Sequence, residues 1–252
     1  MSKVVLVTGG AKGVGRGITQ SFLAQGATVI CCGREAPEVL PSHSGRKAEF
    51  IAADVRDAAA RDKLFAEIAQ KYGRLDVLVN NAGGSPFAMA DKASPRFHES
   101  IINLNLIAPF HLAQKANATM QLQGEGGVII FVGSVSALRA SPGTAAYGAA
   151  KAGVLNLVQS LAVEWAPKVR VVAVSPGLVQ TEQSELHYGD SAGIAAVSET
   201  VPMKRMAQPS EIGDACVWLA SPAAGYASGT NLVLHGGGES PAFLAAASVN
   251  KK

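Results

Sequence analysis

Short, wholly apolar runs recur along this chain and alternate with segments that have the spacing of amphipathic helices. The first run, Val4–Val7, stops at glycines, and Ile18–Ala24 then places apolar residues at helical spacing. Apolar runs without alternation are typical of strands covered on both faces, as in a parallel sheet flanked by helices. The other predicted strands are Ala27–Cys32, Phe50–Ala53, Leu75–Val79, Gly127–Val132, Val169–Val174 and Leu232–Leu234.

This order of strands and helices predicts an α/β fold with a doubly wound, Rossmann-type parallel sheet of about seven strands and helices on both faces. Further helices are predicted at Arg61–Lys71, about Phe97–Gln121, and Ala145–Trp165. No segment between the first and last strands resembles a linker, so residues 1–252 are interpreted as a single domain. We expect part of the C-terminal piece that follows Gly238 to be disordered.

Composition excludes several classes of function. Hydrophobic residues make up 48% of the chain and charged residues 16%, which indicates a folded globule. The net charge is +3 without runs of like charge, so we expect neither nucleic acid nor a membrane surface as a partner. No apolar stretch approaches the roughly 18 residues of a membrane span, and the first run is too short for a signal peptide. We therefore predict a cytoplasmic protein.

The cysteines and histidines indicate neither disulfides nor a metal site. Cys31, Cys32 and Cys216 form no disulfide framework and no CxxC pattern, and we expect them to be buried as small apolar side chains. The histidines show no metal-ligand spacing, so catalysis is predicted to need no metal.

A glycine-rich turn lies between the first strand and the first helix. Its pattern is TGxxxGxG, with Thr8, Gly9, Gly13 and Gly15 in the fixed positions, rather than the usual GxGxxG. Glycines let the backbone approach a pyrophosphate, and the following helix N-terminus supplies N–H groups and a positive dipole end. The turn therefore predicts a dinucleotide-binding loop, although a purely structural turn would have the same composition.

The end of the second predicted strand bears on the choice of dinucleotide. An acid there binds the ribose 2′-hydroxyl of NAD, whereas an arginine suits the 2′-phosphate of NADP. Gly33 holds the acid position, Arg34 follows it, and Lys12 adds a cation in the glycine-rich turn. We therefore favour NADP(H), with NAD(H) as the alternative. Glu35 is the counterargument, and Arg34 and Lys12 could also be solvated surface cations.

Tyr147 and Lys151 are the candidate chemical pair. Their spacing of four residues in a predicted helix places both on one face, one turn apart. A free phenol has a pKa of about 10, and a nearby ammonium lowers it, so the pair can exchange a proton with an alcohol or carbonyl oxygen. Ser134, at the end of the fifth predicted strand, adds a hydroxyl where open α/β sheets bind ligands. Ser136 and Ser141 are alternatives that we interpret as loop serines.

Together these motifs resemble the classical short-chain dehydrogenase/reductase family, from Val4 to about Gly238. The resemblance implies a role for each of three side chains. Ser134 would orient the substrate carbonyl, Asn105 would hold a water in the proton relay, and Lys151 would also hydrogen-bond the nicotinamide ribose. The resemblance implies cofactor contacts at Gly9, Gly13, Val14, Gly15, Asp54, Val55, Asn81, Ala82, Gly83, Tyr147, Lys151, Pro176, Gly177 and Thr181, to which the charge argument adds Lys12 and Arg34.

The resemblance also implies an activity and an assembly. The activity is hydride transfer between NAD(P)(H) and a carbonyl or secondary alcohol, and the assembly is a homotetramer, with a homodimer as the alternative. The chain departs from the family at Val172, where asparagine is frequent, and at His235, where aspartate is frequent. We interpret both as structural differences, and His235 as a packing or interface residue.

The substrate is expected to contact the loop at about residues 182–206, with additions from Leu138, Arg139 and residues 84–87. This loop mixes apolar and acidic residues and is predicted to be a mobile lid. Candidate substrates are a 3-oxoacyl thioester, a steroid or a small secondary alcohol. Two other functions stay open: a sugar-nucleotide-modifying enzyme, for which the chain is short, and a non-catalytic NAD(P)-binding regulator, which would have lost Tyr147 or Lys151.

Overall fold

Seven parallel strands form the central sheet of the computed structural model, which describes residues 2–246. Two further short strands pair with each other as an antiparallel hairpin outside this sheet. Numbered along the chain, the strands are β1 (Val4–Thr8), β2 (Thr28–Gly33), β3 (Ser42–His43), β4 (Arg46–Lys47), β5 (Glu49–Ala52), β6 (Val77–Asn80), β7 (Gly127–Val132), β8 (Val169–Pro176) and β9 (Asn231–Leu234).

The sheet is doubly wound, as predicted. Its order is β5-β2-β1-β6-β7-β8-β9, so the chain winds outward from β1 in one direction and then from β6 in the other. All six pairings are parallel, which places the carboxyl ends of the strands along one edge of the sheet. In such sheets ligands bind where the winding direction reverses, which here is between β1 and β6.

The helices cover both faces of the sheet. Leu64, Leu112 and Val154 belong to the core on one face, and Ile18 and Ile212 to the core on the other. The helices of the described residues are α1 (Gly13–Ala24), α2 (Ala58–Tyr72), α3 (Pro95–Ile102), α4 (Ala108–Leu122), α5 (Ala145–Trp165), α6 (Ser184–Tyr188), α7 (Ser191–Thr200), α8 (Pro209–Leu219) and α9 (Ala242–Ala246).

The long helix predicted at about Phe97–Gln121 is interrupted. A π-helical turn at Asn103–Ile107 separates α3 from α4. Pro109 has no N–H, so it cannot donate to the carbonyl of Asn105 as an α-helix requires, and its ring crowds the preceding turn. The periodicity of apolar residues continues across this point, which explains why the sequence pattern predicted one helix.

Gly17 lies where α1 and α8 approach each other. A Cβ atom at this position would overlap the backbone of Pro209, the first residue of α8. The glycine that follows the TGxxxGxG pattern therefore serves close packing of two helices.

Two predictions concern the cysteines and the C-terminus. Cys31, Cys32 and Cys216 are free and buried, as expected, and burial raises the pKa of Cys216 to about 12. In the piece after Gly238 the chain forms α9, and residues 247–252 lie outside the described residues. Between residues 2 and 246, no helix has the length and apolar character needed to cross a bilayer.

Candidate active site

The predicted catalytic side chains meet at the carboxyl edge of the sheet. Ser134 follows β7 directly, and Tyr147 and Lys151 lie in the first two turns of α5. The Lys151 ammonium donates a 2.6 Å hydrogen bond to the main-chain oxygen of Val132, the last residue of β7. The same nitrogen lies 5.5 Å from the centroid of the Tyr147 ring, and the Tyr147 side chain is hydrogen-bonded to Ser134. The structure thus brings the three predicted groups together.

Burial dominates the electrostatics of this pair. Desolvation raises the pKa of Tyr147 above its ordinary value, and the hydrogen bond with Ser134 offsets part of that rise. Desolvation also lowers the pKa of Lys151, to about 8. The sequence argument expected the ammonium to lower the tyrosine pKa, and in this structure the direction is the opposite. The reason is that the phenol is buried, and desolvation disfavours its charged form more than the hydrogen bond with Ser134 favours it.

Asn105 is fully buried in the π-helical turn. Its amide nitrogen donates to the main-chain oxygens of Ile101 and Gly84, at 2.9 and 3.0 Å, and its amide oxygen accepts from the N–H of Gly84 at 2.9 Å. A Cβ atom at Gly83 would lie 2.6 Å from that amide oxygen and 3.5 Å from the Lys151 ammonium. Asn105 therefore fixes the segment after β6 beside Lys151.

The glycine-rich turn is held to the end of β6. Asn81 donates through its side chain to the main-chain oxygen of Thr8 at 2.8 Å, and the Thr8 hydroxyl accepts from the N–H groups of Asn81 and Ala82. Gly9 has a φ of +63°, a conformation that side chains rarely adopt. The sequence identified Thr8 only as a fixed position of the TGxxxGxG pattern. In the structure its hydroxyl and main-chain oxygen hold the glycine-rich turn to the residues after β6.

Helix α1 begins at Gly13, and its first N–H group has a partner from a distant segment. The Gly13 N–H donates to the Glu182 carboxylate at 2.8 Å. Lys12 precedes the helix with an exposed side chain that makes no capping hydrogen bond. An anionic group thus occupies the position for which the sequence predicted a phosphate.

A cavity of about 190 Å³ lies beyond the glycine-rich turn, between the ends of β1, β2 and β5. It brings together five of the predicted cofactor residues, including Arg34 and Asp54, with residues that the sequence argument missed. Its lining is Gly9, Cys32, Gly33, Arg34, Ala53, Asp54, Val55, Arg56, Ala82 and Leu104.

Arg56 is the most consequential of the missed residues. Its guanidinium forms a 2.6 Å ion pair with Asp54 and a second hydrogen bond at 3.0 Å, and its N–H donates to the same carboxylate. These bonds, with a smaller contribution from Arg34, lower the pKa of Asp54. The sequence feature that could have identified Arg56 is its position two residues after Asp54, as a second arginine near the predicted cofactor residues. The cavity therefore carries two arginines and one carboxylate.

Pro176 is the last residue of β8, and Gly177 and Thr181 follow this strand. Gly177 donates to the main-chain oxygen of Leu234 at 2.8 Å, and a Cβ atom there would lie 3.0 Å from His235. Thr181 approaches the glycine-rich turn, since its methyl carbon lies 3.7 Å from the Cβ position of Gly13. The structure thus brings Thr181 beside the glycine-rich turn and Gly177 beside β9.

A larger cavity of about 580 Å³ lies between the ends of β8 and β9 and the predicted substrate loop. The predicted substrate residues Leu138 and Arg139 line it, with Arg139 forming a 2.7 Å ion pair with Glu239. The lining is Val135, Leu138, Arg139, Gly177, Leu178, Thr200, Val201, Met203, Arg205, Ala207, Glu211, Ile212, Leu234, His235, Gly236, Gly237, Gly238 and Glu239.

Other predicted substrate residues lie elsewhere. The substrate loop contains α6 and α7, and only its end, from Thr200, lines the larger cavity. Residues 84–87 do not line it, and the Phe87 ring lies against Gly143 instead. Within residues 2–246, no group of three histidine, cysteine, aspartate or glutamate side chains could hold a metal ion.

Comparisons with known proteins show similarity over nearly the whole chain. A family model described as enoyl-(acyl carrier protein) reductase matches residues 9–239. The D-threitol dehydrogenase of Mycolicibacterium smegmatis is 36% identical over 241 residues, covering 93% of this chain and 92% of that protein. The 3-oxoacyl-(acyl-carrier-protein) reductase FabG of Haemophilus influenzae is 33% identical, covering 93% and 97%. The ligand-free aldohexose dehydrogenase of Thermoplasma acidophilum is 30% identical with a TM-score of 0.86, covering 94% and 93%.

Proposed function

The chain belongs to the classical short-chain dehydrogenase/reductase family, and from that membership we propose a proton relay through Ser134, Tyr147, Lys151 and Asn105, with NADP(H) as the preferred cofactor. It is an NAD(P)-dependent oxidoreductase that acts on CH–OH groups. The observation that carries the relay is the Tyr147 hydroxyl, hydrogen-bonded to Ser134 at a strand end and flanked by a buried lysine.

Each side chain has a defined task in this relay. When bound, a nicotinamide dinucleotide would supply the hydride for carbonyl reduction and would accept it in alcohol oxidation. The Ser134 and Tyr147 hydroxyls hold the substrate oxygen, and Tyr147 gives it a proton during reduction. Because burial raises its pKa, Tyr147 carries its proton at neutral pH and has one to give to the substrate oxygen. Lys151 supplies positive charge beside the phenol, and Asn105 positions the loop next to it.

The residues present fit a dinucleotide. The N-terminus of α1 already binds an anionic group, the Glu182 carboxylate, so its N–H groups are oriented for a phosphate. The smaller cavity is lined by Gly9 of the glycine-rich turn and by Asp54 and Val55, the residues that the resemblance assigns to cofactor contact after β5. The parts of the cofactor between its adenosine end and its nicotinamide would be held by Gly9, Gly13, Val14, Gly15 and residues 81–83.

NADP(H) is favoured over NAD(H) by the two arginines of the smaller cavity. Arg34 follows β2 and Arg56 follows β5, and both line the cavity. A 2′-phosphate carries nearly two negative charges, which a pair of guanidinium groups recognises in a planar, bidentate way. Asp54 already binds one face of Arg56, so Arg34 is the cation with the fewer competing contacts.

We expect Arg34→Gln to raise the KM for NADPH by about tenfold or more and to leave the KM for NADH nearly unchanged. The reason is that only NADPH carries the 2′-phosphate. Lys47→Gln, which removes one exposed positive charge from the nearby hairpin, is the matched control and should change neither KM. Equal losses with both cofactors, or a wild-type enzyme that prefers NADH, would contradict the preference.

The substrate is proposed to have an apolar body. Leu138, Leu178, Val201, Met203 and Leu234 line a cavity whose volume exceeds that of a small alcohol. Among the candidates, this lining favours a 3-oxoacyl thioester or a steroid-like ketone over a small secondary alcohol. The 3-oxoacyl substrate named for the Haemophilus influenzae relative supports the first, and the name of the threitol dehydrogenase supports a polyol instead.

A panel assay tests the function. The protein is incubated with NADPH, and separately with NADH, together with 3-oxoacyl thioesters, steroid ketones and small ketones, while the absorbance of the reduced nicotinamide is followed. We expect oxidation of the cofactor with one of the first two classes. No absorbance change with any class, in either direction of the reaction, would refute the proposal.

The assembly is proposed to be a homotetramer, or else a homodimer. Trp218 on α8 is 47% exposed and Tyr226, between α8 and β9, is fully exposed. A second copy of the chain would cover these aromatic side chains and the edge strand β9. Sedimentation equilibrium should give a mass of two or four chains, and a monomer at micromolar concentration would contradict this.

A further inference from the structure

Glu182 links the substrate loop to the glycine-rich turn. Its carboxylate accepts a hydrogen bond from the Gly13 N–H at 2.8 Å, across 169 residues of chain. The first N–H groups of a helix have no acceptor within the helix and carry its positive dipole end. The carboxylate therefore satisfies a group that would otherwise point to solvent.

The backbone beside Glu182 is anchored while its side chain is free to move. Ser184 is buried, its hydroxyl accepts from the Thr181 N–H at 2.9 Å, and its own N–H donates to the Thr181 oxygen at 3.0 Å. This turn keeps the backbone of Glu182 close to Gly13. Glu182 itself is exposed, so its carboxylate can rotate into solvent without disturbing the core.

We propose that Glu182 is an internal competitor for the cofactor's diphosphate. The inference rests on the proposed function, in which the N-terminus of α1 binds that diphosphate. Two anionic groups cannot share one N–H donor, and like charges at this distance repel. The carboxylate must therefore leave Gly13 before the dinucleotide binds fully, and its departure frees the start of the substrate loop from the glycine-rich turn.

Competition of this kind weakens the apparent affinity. If a ligand binds only when Glu182 has turned away, its apparent dissociation constant rises with the fraction of molecules in which the Glu182–Gly13 contact is formed. The effect applies to any ligand with a diphosphate and not to a ligand that fills only the adenosine end. Glu182 would thus tune cofactor affinity through its contact with the N-terminus of α1.

The experiment is a set of binding titrations with three probes: NADPH, ADP-ribose and adenosine 2′-monophosphate. We expect Glu182→Gln and Glu182→Ala to bind NADPH and ADP-ribose about three- to tenfold more tightly than wild type. Adenosine 2′-monophosphate, which lacks the diphosphate, should bind all three proteins equally.

Glu185→Gln is the matched control, because it removes the same charge three residues away. Within residues 2–246 the Glu185 side chain makes no hydrogen bond or ion pair, so this variant should bind like wild type. Unchanged NADPH and ADP-ribose affinity in both Glu182 variants would overturn the inference while leaving the proposed function intact. Equal tightening by Glu185→Gln would also overturn it, since general charge would then explain the effect. If wild type and variants bound no dinucleotide at all, the proposed function would fall and the inference with it.

Discussion

Tyr147→Phe is expected to lower kcat for carbonyl reduction by about two to four orders of magnitude, with little change in the dissociation constant for NADPH. The substitution removes the hydroxyl that is hydrogen-bonded to Ser134 and keeps the ring that lies beside Lys151. The proton donor is then lost while the packing of α5 is retained. Single-turnover oxidation of NADPH, followed by absorbance, separates the chemical step from cofactor binding.

Tyr188→Phe provides the sharpest control. Tyr188 lies in α6 of the substrate loop, where burial raises its pKa and Arg139 partly offsets the rise. Tyr188 is therefore a second candidate proton donor, next to Arg139 of the larger cavity. We expect Tyr188→Phe to keep kcat within a few-fold of wild type. A large loss in Tyr188→Phe together with a small loss in Tyr147→Phe would assign the donor to Tyr188 and refute the relay.

For carbonyl reduction, kcat/KM is expected to fall as the pH rises above about 8. The pKa of Lys151 is lowered to about 8 by burial, so the ammonium loses its proton in this range. Tyr147 has a raised pKa and keeps its proton to higher pH, so the first loss is that of the positive charge beside the phenol. Well below pH 8 both groups are protonated, so the rate should be flat there. The measurement is kcat/KM from pH 6 to 10 in buffers of constant ionic strength.

Two variants test whether Lys151 causes this decline. Lys151→Met should lower kcat/KM by about a hundredfold or more at neutral pH and abolish the decline near pH 8. Lys151→Arg keeps its charge throughout the range, so any remaining activity should persist to higher pH. A decline at the same pH in Lys151→Arg, or a wild-type profile that is flat to pH 10, would show that another group titrates.

Several features of the fold followed from local chemistry. Strands that are buried on both faces must be apolar at every position, so runs such as Val4–Val7 and Gly127–Val132 identified the parallel sheet. Helical geometry alone places residues four apart on one face, so Tyr147 and Lys151 were paired before any fold was known. Gly127–Val132 was predicted at both ends, whereas one or both ends of the other strands differ by one or two residues, because the end of a strand depends on its neighbours.

Other parts of the site could not be predicted from the order of residues along the chain. Arg56 joins Arg34 in one cavity because β5 pairs with β2, and strand order is a property of the whole sheet. The interruption at Asn103–Ile107 depends on how Pro109 is accommodated, while the apolar periodicity runs across it unbroken. Residues 84–87 follow a predicted strand end, yet Phe87 packs on Gly143, away from the larger cavity.

The sequence by itself determined the doubly wound sheet, the glycine-rich turn and the facing of Tyr147 and Lys151, because these follow from side-chain periodicity and backbone geometry over a few residues. Only the tertiary structure decided which charged groups meet and how deeply each is buried. It placed Glu182 on Gly13 and Arg56 on Asp54, and it raised rather than lowered the pKa of Tyr147. The physical reason is that desolvation and long-range ion contacts depend on the packing of distant segments, which no local pattern encodes.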